Sequence, residues 1–173
     1  MMKRIAVDMD GVLADVYRQF LKLHTEEYGK ELTMADVEGV PEREAIPGIL
    51  KYVNTPGFFR NAPLIPGCQK YLSLLNEKYE LYIVSAAMEF PLSLMEKNLW
   101  LNEYFPYITW QQIVFCGSKE IINADIMIDD HFKNLDYFKG ETLLFTQPHN
   151  KFSDAGKHRR VDTWDEIGEI LLS

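Results

Sequence analysis

The sequence predicts an α/β fold: a Rossmann-like parallel sheet with helices on both faces and a small helical cap inserted after the first strand. Three observations lead there. Short, continuously apolar runs recur along the chain, the pattern of strands covered on both sides. Stretches of helical spacing separate them. One long segment, 15–61, holds no convincing strand and carries Pro41, Pro47 and Pro56-Gly57.

The elements follow in order. Ile5-Ala6-Val7 is the first strand. Val16, Phe20, Leu21, Leu23, His24 and Tyr28 fall near helical spacing, and Gly29 is a stop signal. Tyr71, Leu72, Leu74 and Leu75 form a second helical stripe, entered through Pro66-Gly67. Leu81-Tyr82-Ile83-Val84 is the next strand. Leu92, Leu94, Met95, Leu99 and Leu101 suit a third helix, with Pro91 near its first turn. Ile113-Val114-Phe115, Ile126-Met127-Ile128 and Leu143-Leu144-Phe145 are the remaining strands. The basic run Lys157-His158-Arg159-Arg160 reads as a surface loop. Trp164, Ile167, Ile170 and Leu171 form a terminal helix behind the capping pair Asp162-Thr163. The expected division is a core of residues 1–14 and 62–173 and a cap of residues 15–61.

Bulk properties narrow the partners. The chain has 173 residues, enough for one such domain with an insertion. Its net charge of -8 argues against binding nucleic acid polymers, which calls for a basic face. It leaves room for a small phosphate captured by a few local cations and a metal. Cys68 and Cys116 form no CxxC pair and read as reduced, buried thiols. With no signal peptide and no apolar run of membrane length, no membrane partner is expected and the cytoplasm is the expected compartment. A homodimer is left open.

Three strands end in residues suited to chemistry: Asp8-Met9-Asp10-Gly11, Ser85-Ala86-Ala87 and Asp129-Asp130. Ligands of open α/β sheets bind beyond the carboxyl ends of the strands, so these groups are expected in one crevice. Four converging carboxylates repel one another and call for a cation. Carboxylate oxygens without His or Cys suit Mg²⁺ better than zinc. A carboxylate beside bound Mg²⁺ can attack phosphorus, while a second one protonates the leaving oxygen and later deprotonates water. Asp8 and Asp10 fit that division of labour, although Asp-x-Asp-Gly by itself also describes a plain turn or a calcium loop. Ser85 can bond a phosphate oxygen or simply cap a turn. Lys119 is suited to pair with the phosphate and orient Asp8.

The run Asp8-Met9-Asp10-Gly11-Val12-Leu13-Ala14-Asp15 resembles the first motif of haloacid-dehalogenase-like (HAD) phosphatases, in the form used by 5'(3')-deoxyribonucleotidases. Ile83-Val84-Ser85-Ala86, Lys119 and Ile128-Asp129-Asp130 resemble the second, third and fourth motifs. Pro56-Gly57-Phe58-Phe59, Pro63-Leu64-Ile65-Pro66-Gly67, Phe145-Thr146-Gln147-Pro148-His149-Asn150 and Trp164-Asp165-Glu166-Ile167 extend the likeness over nearly the whole chain.

The resemblance implies that Asp8 is nucleophile and metal ligand. It makes Asp10 the acid/base and the donor of a backbone carbonyl to Mg²⁺. Ser85, with Ala86 beside it, and Lys119 hold phosphate; Asp130 binds the metal, with Asp129 its close partner. The substrate is then a nucleoside monophosphate. The alternatives are a sugar phosphate or another small phosphomonoester, or a non-catalytic nucleotide-binding module. Val16, Glu38, Val40 and Phe58 are the expected base pocket. The stretch Val37-Glu38-Gly39-Val40 lacks the aromatic residue that relatives stack on the base, and Glu38 there is unfriendly to a second phosphate. Tyr17, Tyr52, Phe58 and Phe59 are aromatic replacements or simply cap core.

Overall fold

A computed structural model describes residues 2–173. Six strands form one parallel sheet: β1 (Arg4–Val7), β2 (Glu80–Ser85), β3 (Ile113–Phe115), β4 (Ile126–Asp129), β5 (Glu141–Phe145) and β6 (Arg159–Val161). Their order is β3-β2-β1-β4-β5-β6. The expected α/β class and all five expected strands are present.

The sixth strand is a correction. Arg159 and Arg160 pair with Leu143 and Leu144, so the basic run is not a surface loop. His158 is buried and bonds Thr142 Oγ1 (2.8 Å) and Asp136 Oδ1 (3.0 Å). Charged side chains suit an edge strand because they discourage pairing with another chain, and that same charge hides the strand from an apolar-run reading.

Alternate residues along each strand serve opposite faces of the sheet. Ile5, Val7, Leu81, Ile83, Ile126, Ile128, Leu143 and Phe145 join the larger core. Ala6, Val84, Met127 and Leu144 join a smaller one with Leu135 and Phe138. Both faces are therefore dry, which is why the runs are continuously apolar.

Five helices fall between β1 and β2, the first four of them within residues 15–61: α1 (Val16–Tyr28), α2 (Met34–Val37), α3 (Glu42–Ala45) and α4 (Ile49–Val53). Asp15 caps α1 by accepting from the Arg18 N–H (3.0 Å), and Gly29 ends it at φ 64°, a left-handed conformation glycine adopts without strain. The remaining helices are α5 (Cys68–Lys78), α6 (Ser93–Tyr104), α7 (Phe132–Leu135) and α8 (Trp164–Leu172). Thr163 caps α8, accepting from the Glu166 N–H. No helix among the described residues is long and apolar enough to cross a membrane.

Helix α6 lies where the spacing predicts but turns the other way. It buries Ser93, Lys97, Trp100 and Leu101, while Leu92, Met95 and Leu99 are 58%, 69% and 48% exposed. Trp100 decides the orientation: its indole N–H donates to the Ala62 carbonyl (2.8 Å) and its ring packs on Phe105. The rotation carries Lys97 into the protein.

The chain runs from β1 outward to β3, then returns across to β4 and runs outward to β6. The order reverses at β1, so the carboxyl ends of β1, β2 and β4 frame the crevice of the sheet.

Candidate active site

Asp8 follows β1, Ser85 ends β2 and Asp129 ends β4, and these strands are adjacent. Parallel register alone therefore brings together groups far apart in sequence. Lys119, from the turn after β3, completes the floor. Its Nζ is 2.6 Å from Asp8 Oδ1 and 2.6 Å from Asp129 Oδ2. Burial opposes the lysine charge, yet Asp129 and Asp8 together hold its pKa above the ordinary lysine range.

The two acids after β4 differ in environment. Asp129 is saturated: besides Lys119 it accepts from the His131 N–H (2.9 Å) and from Asn134 Nδ2 (2.9 and 3.1 Å). Asp130 is equally buried, but its Oδ1 finds no hydrogen-bond partner among the described residues, and neither does Asp10 Oδ1. An orphaned buried carboxylate oxygen is costly unless something fills the position. Burial, then Asp8, raise the Asp130 pKa well above its ordinary value. Burial, then Asp129, raise that of Asp8 to about 7.

One donor oxygen each of Asp8, Asp129 and Asp130 lie within 4.8 Å of one another. Both oxygens of Asp129 are taken by Lys119, the His131 N–H and Asn134, whereas Lys119 and the Met9 N–H engage only Oδ1 of Asp8, so Asp8 and Asp130 are the acids left to hold a cation. Their all-oxygen chemistry and the orphaned Asp130 Oδ1 fit Mg²⁺.

The loops that carry these acids are tied down. Trp164 Nε1 donates to the Val12 carbonyl (2.8 Å) and Gln147 Nε2 to the Gly11 carbonyl (2.6 Å). Asn150 Nδ2 and His149 Nε2 both donate to the Asp130 carbonyl, at 2.8 and 3.0 Å. Gly11 has φ +74°, and a Cβ there would sit 2.3 Å from Asp130 Oδ2. No other residue lets the two loops approach so closely.

Lys97 is the cavity residue that no sequence motif pointed to. Its side chain is 2% exposed, and its Nζ donates to Asp10 Oδ2 (2.5 Å) and Ser85 Oγ (2.9 Å) over the Phe59 ring. A signal existed: Ser93, Lys97, Trp100 and Leu101 also keep helical spacing, with a lysine inside the stripe. Helix α6 was read instead by its leucines.

A cavity of about 210 Å³ opens above these groups, lined on the sheet side by Asp8, Asp10, Ser85, Ala86, Lys97, Lys119 and Asp130. Val16, Phe20, Ile49, Leu50, Val53 and Phe58 make an apolar wall opposite. Val16 and Phe58 thus lie where expected. Glu38 and Val40, expected in the base pocket, do not line this cavity. Glu38 is held by Lys151 (2.6 Å) in a separate depression with Met34 and Phe152. Pro41 follows Val40 and opens α3, whose Glu42 and Arg43 line the cavity instead. Of the other aromatics, Phe59 lines the cavity; Tyr17 and Tyr52 are buried beside it. Phe20, Ile49 and Leu50 were not anticipated, because their helices had to be placed before their side chains could be.

At the rim His131 and His149 stack, with ring centroids 4.3 Å apart. His149 is only 10% exposed and bonds Tyr17 through Nδ1 (3.1 Å). Burial, then His149, lower the His131 pKa to about 3. Burial also lowers His149.

The profile of the "5' nucleotidase, deoxy (Pyrimidine), cytosolic type C protein" family matches residues 1–173. A 5'(3')-deoxyribonucleotidase of Bacillus subtilis is 39% identical over 182 residues, covering 99% of this chain and 100% of the relative. A Staphylococcus epidermidis protein, provisionally named for the same activity, is 40% identical over 179 residues, covering 99% and 97%. Among solved structures, a haloacid dehalogenase-like hydrolase of Streptococcus pneumoniae superposes with TM-score 0.63 at 16% identity, covering 98% of each chain. YfnB of Bacillus subtilis, solved bound to magnesium, gives 0.58 at 18%, covering 99% of each.

Proposed function

The chain belongs to the deoxy (pyrimidine), cytosolic type C 5'-nucleotidase family, and from that premise we propose that it hydrolyses nucleoside monophosphates, deoxyribonucleotides foremost, through an aspartyl-phosphate on Asp8. The observation that carries this reading is the two-sided cavity. Its charged floor suits a phosphate, and its apolar wall suits a nucleobase better than a hydroxyl-rich sugar, whose polar groups would lose water without finding partners.

In this reading residues 1–14 and 62–173 are the core and 15–61 the cap. The Asp15 N–H bonds the Pro63 carbonyl (2.7 Å) and the Ile65 N–H the Leu13 carbonyl (2.8 Å), giving the cap a paired stem. The phosphate enters between Lys97, Lys119 and Ser85. Asp8 attacks phosphorus as the ester P–O bond breaks, and Asp10 gives its proton to the departing oxygen. Asp10 then takes a proton from water, which attacks the same phosphorus and frees phosphate and Asp8. Mg²⁺, held by Asp8, Asp130 and the Asp10 carbonyl, would offset the negative charge gathered there. Asp129 keeps Lys119 in place. A cytoplasmic location and a small-molecule substrate belong to the same proposal.

Purified protein should release phosphate from deoxyuridine or thymidine monophosphate only with Mg²⁺. Strong release from sugar phosphates and none from nucleotides would replace the nucleotide reading. Nucleotide binding without any turnover would replace the enzyme reading.

Two further results are expected. Lys97→Met keeps the apolar stem over Phe59 and removes the charged donor, so kcat/KM should fall about 10²–10³-fold, and the melting temperature should fall less than in Lys119→Met because the Asp10 left unpaired is 30% exposed. Wild-type turnover in that variant would remove Lys97 from the phosphate site. The second concerns pH. Asp8 titrates at about 7 in the folded, metal-free protein against 3.8 ordinarily, so the folded state binds more protons between those values. Stability of the metal-free protein should therefore fall, on this group, as pH rises from about 4 to about 7. Mg²⁺ binds the ionised acids and opposes the loss. The rise in melting temperature on adding Mg²⁺ should be larger at pH 8 than at pH 5; an equal rise at both would count against Asp8 as a ligand.

A further inference from the structure

We propose that Glu42, His131 and His149 form a second divalent-cation site, of the zinc class, where α3 meets the loops after β4 and β5. One donor atom of each lies within 4.8 Å of the others. Glu42 Oε2 is 3.9 Å from His131 Nε2, and its Oε1 is 3.8 Å from His149 Nδ1. No lysine or arginine among the described residues lies within 4.0 Å of this carboxylate, so the two imidazoles are the basic groups nearest to it, with Lys133 farther off.

A second observation points the same way. His149 Nε2 is 3.0 Å from the Asp130 carbonyl, an acceptor only, so Nε2 carries the proton and Nδ1 presents its lone pair on the Glu42 side. A metal-bound histidine is oriented in this manner, its other N–H given to a backbone carbonyl. Tyr17 now bonds Nδ1 and has Glu42 as its other neighbour, so it can turn to the carboxylate when an ion takes the nitrogen. The His131 ring makes no hydrogen bond among the described residues, so rotation about its soft Cβ–Cγ torsion can turn a nitrogen toward an ion held by His149 Nδ1 and Glu42.

Two imidazole nitrogens and one carboxylate are a donor set for zinc with an open fourth position, unlike the all-oxygen set of Asp8 and Asp130. Asp130 Oδ2 is 3.9 Å from the Nε2 of both histidines, so the two sites adjoin. An ion here ties α3 to the loop of Asp130 across the cavity mouth. Its consequence is inhibition of turnover, a consequence that rests on the function proposed above; the binding itself does not.

The test is calorimetric titration of Zn²⁺ into the full chain under saturating Mg²⁺, with Co²⁺ absorption as a spectroscopic check. One equivalent should bind, with a tetrahedral Co²⁺ spectrum. Glu42→Gln and His131→Asn should each weaken it at least about tenfold while melting as the parent does. Asp8→Asn should bind zinc as the parent does. Zinc should slow phosphate release in the parent more than in Glu42→Gln. Absence of binding under saturating Mg²⁺, or equal affinity in parent and both variants, overturns the site. The calorimetric and Co²⁺ readouts need no turnover, so they stand whether or not the chain proves to be a nucleotidase.

Discussion

Asp8→Asn is expected to fold and to release phosphate about 10⁴–10⁶-fold more slowly than the parent, the loss typical of removing a nucleophile. The amide has nearly the same shape. Its oxygen can still accept from the Met9 N–H, now 2.7 Å from Asp8 Oδ1, and from Lys119. What is lost is the nucleophilic carboxylate oxygen. What is gained is relief of repulsion: Asp8, Asp129 and Asp130 are buried together, and burial with Asp129 already raises the Asp8 pKa to about 7. The metal-free variant should therefore melt at or above the parent's temperature at neutral pH, while its stabilisation by Mg²⁺ shrinks. Phosphate release and thermal melts with and without Mg²⁺ measure both. Parent-like turnover would remove Asp8 from the reaction.

Lys119→Met should lose both activity and stability. The lysine is 4% exposed and is the cation between Asp8 and Asp129. Removing one partner of a buried ion pair leaves an uncompensated charge and costs about 3–5 kcal/mol. Here two carboxylates are left. Denaturant unfolding should record a loss of that size, and phosphate release should be nearly abolished. Adding Asp129→Asn to Lys119→Met should recover much of the stability and none of the activity, because the repulsion is removed but the phosphate partner is not restored. If the double variant is no more stable than the single, the charge balance described for this floor is wrong.

Residues that end strands were legible in the sequence. A short apolar run followed by an acid states both the strand and the end on which the acid sits, and parallel register does the rest. Asp8, Asp10, Ser85 and Asp129-Asp130 were legible in this way, Lys119 from its place just before the Asp129 strand and from the family resemblance, and the structure brings them together. Lys97 was not, because a helix with apolar residues on two sides has two plausible inward faces. Only the partner of Trp100, the Ala62 carbonyl, selects between them. The wall opposite the acids was harder still. Its helices α3 and α4 are four and five residues long, too short for periodicity to orient them, so Glu38 was assigned to a cavity that Glu42 reaches.

Local pattern alone specified five of the six strands, their parallel sense and the acidic centre, because in a doubly covered sheet each strand's end is set by its own few residues. Tertiary packing decided which face of α6 turns inward, what lines the apolar wall and that two histidines meet a glutamate. Those contacts join elements that have no neighbour in the chain, and their geometry depends on side chains filling a shared volume.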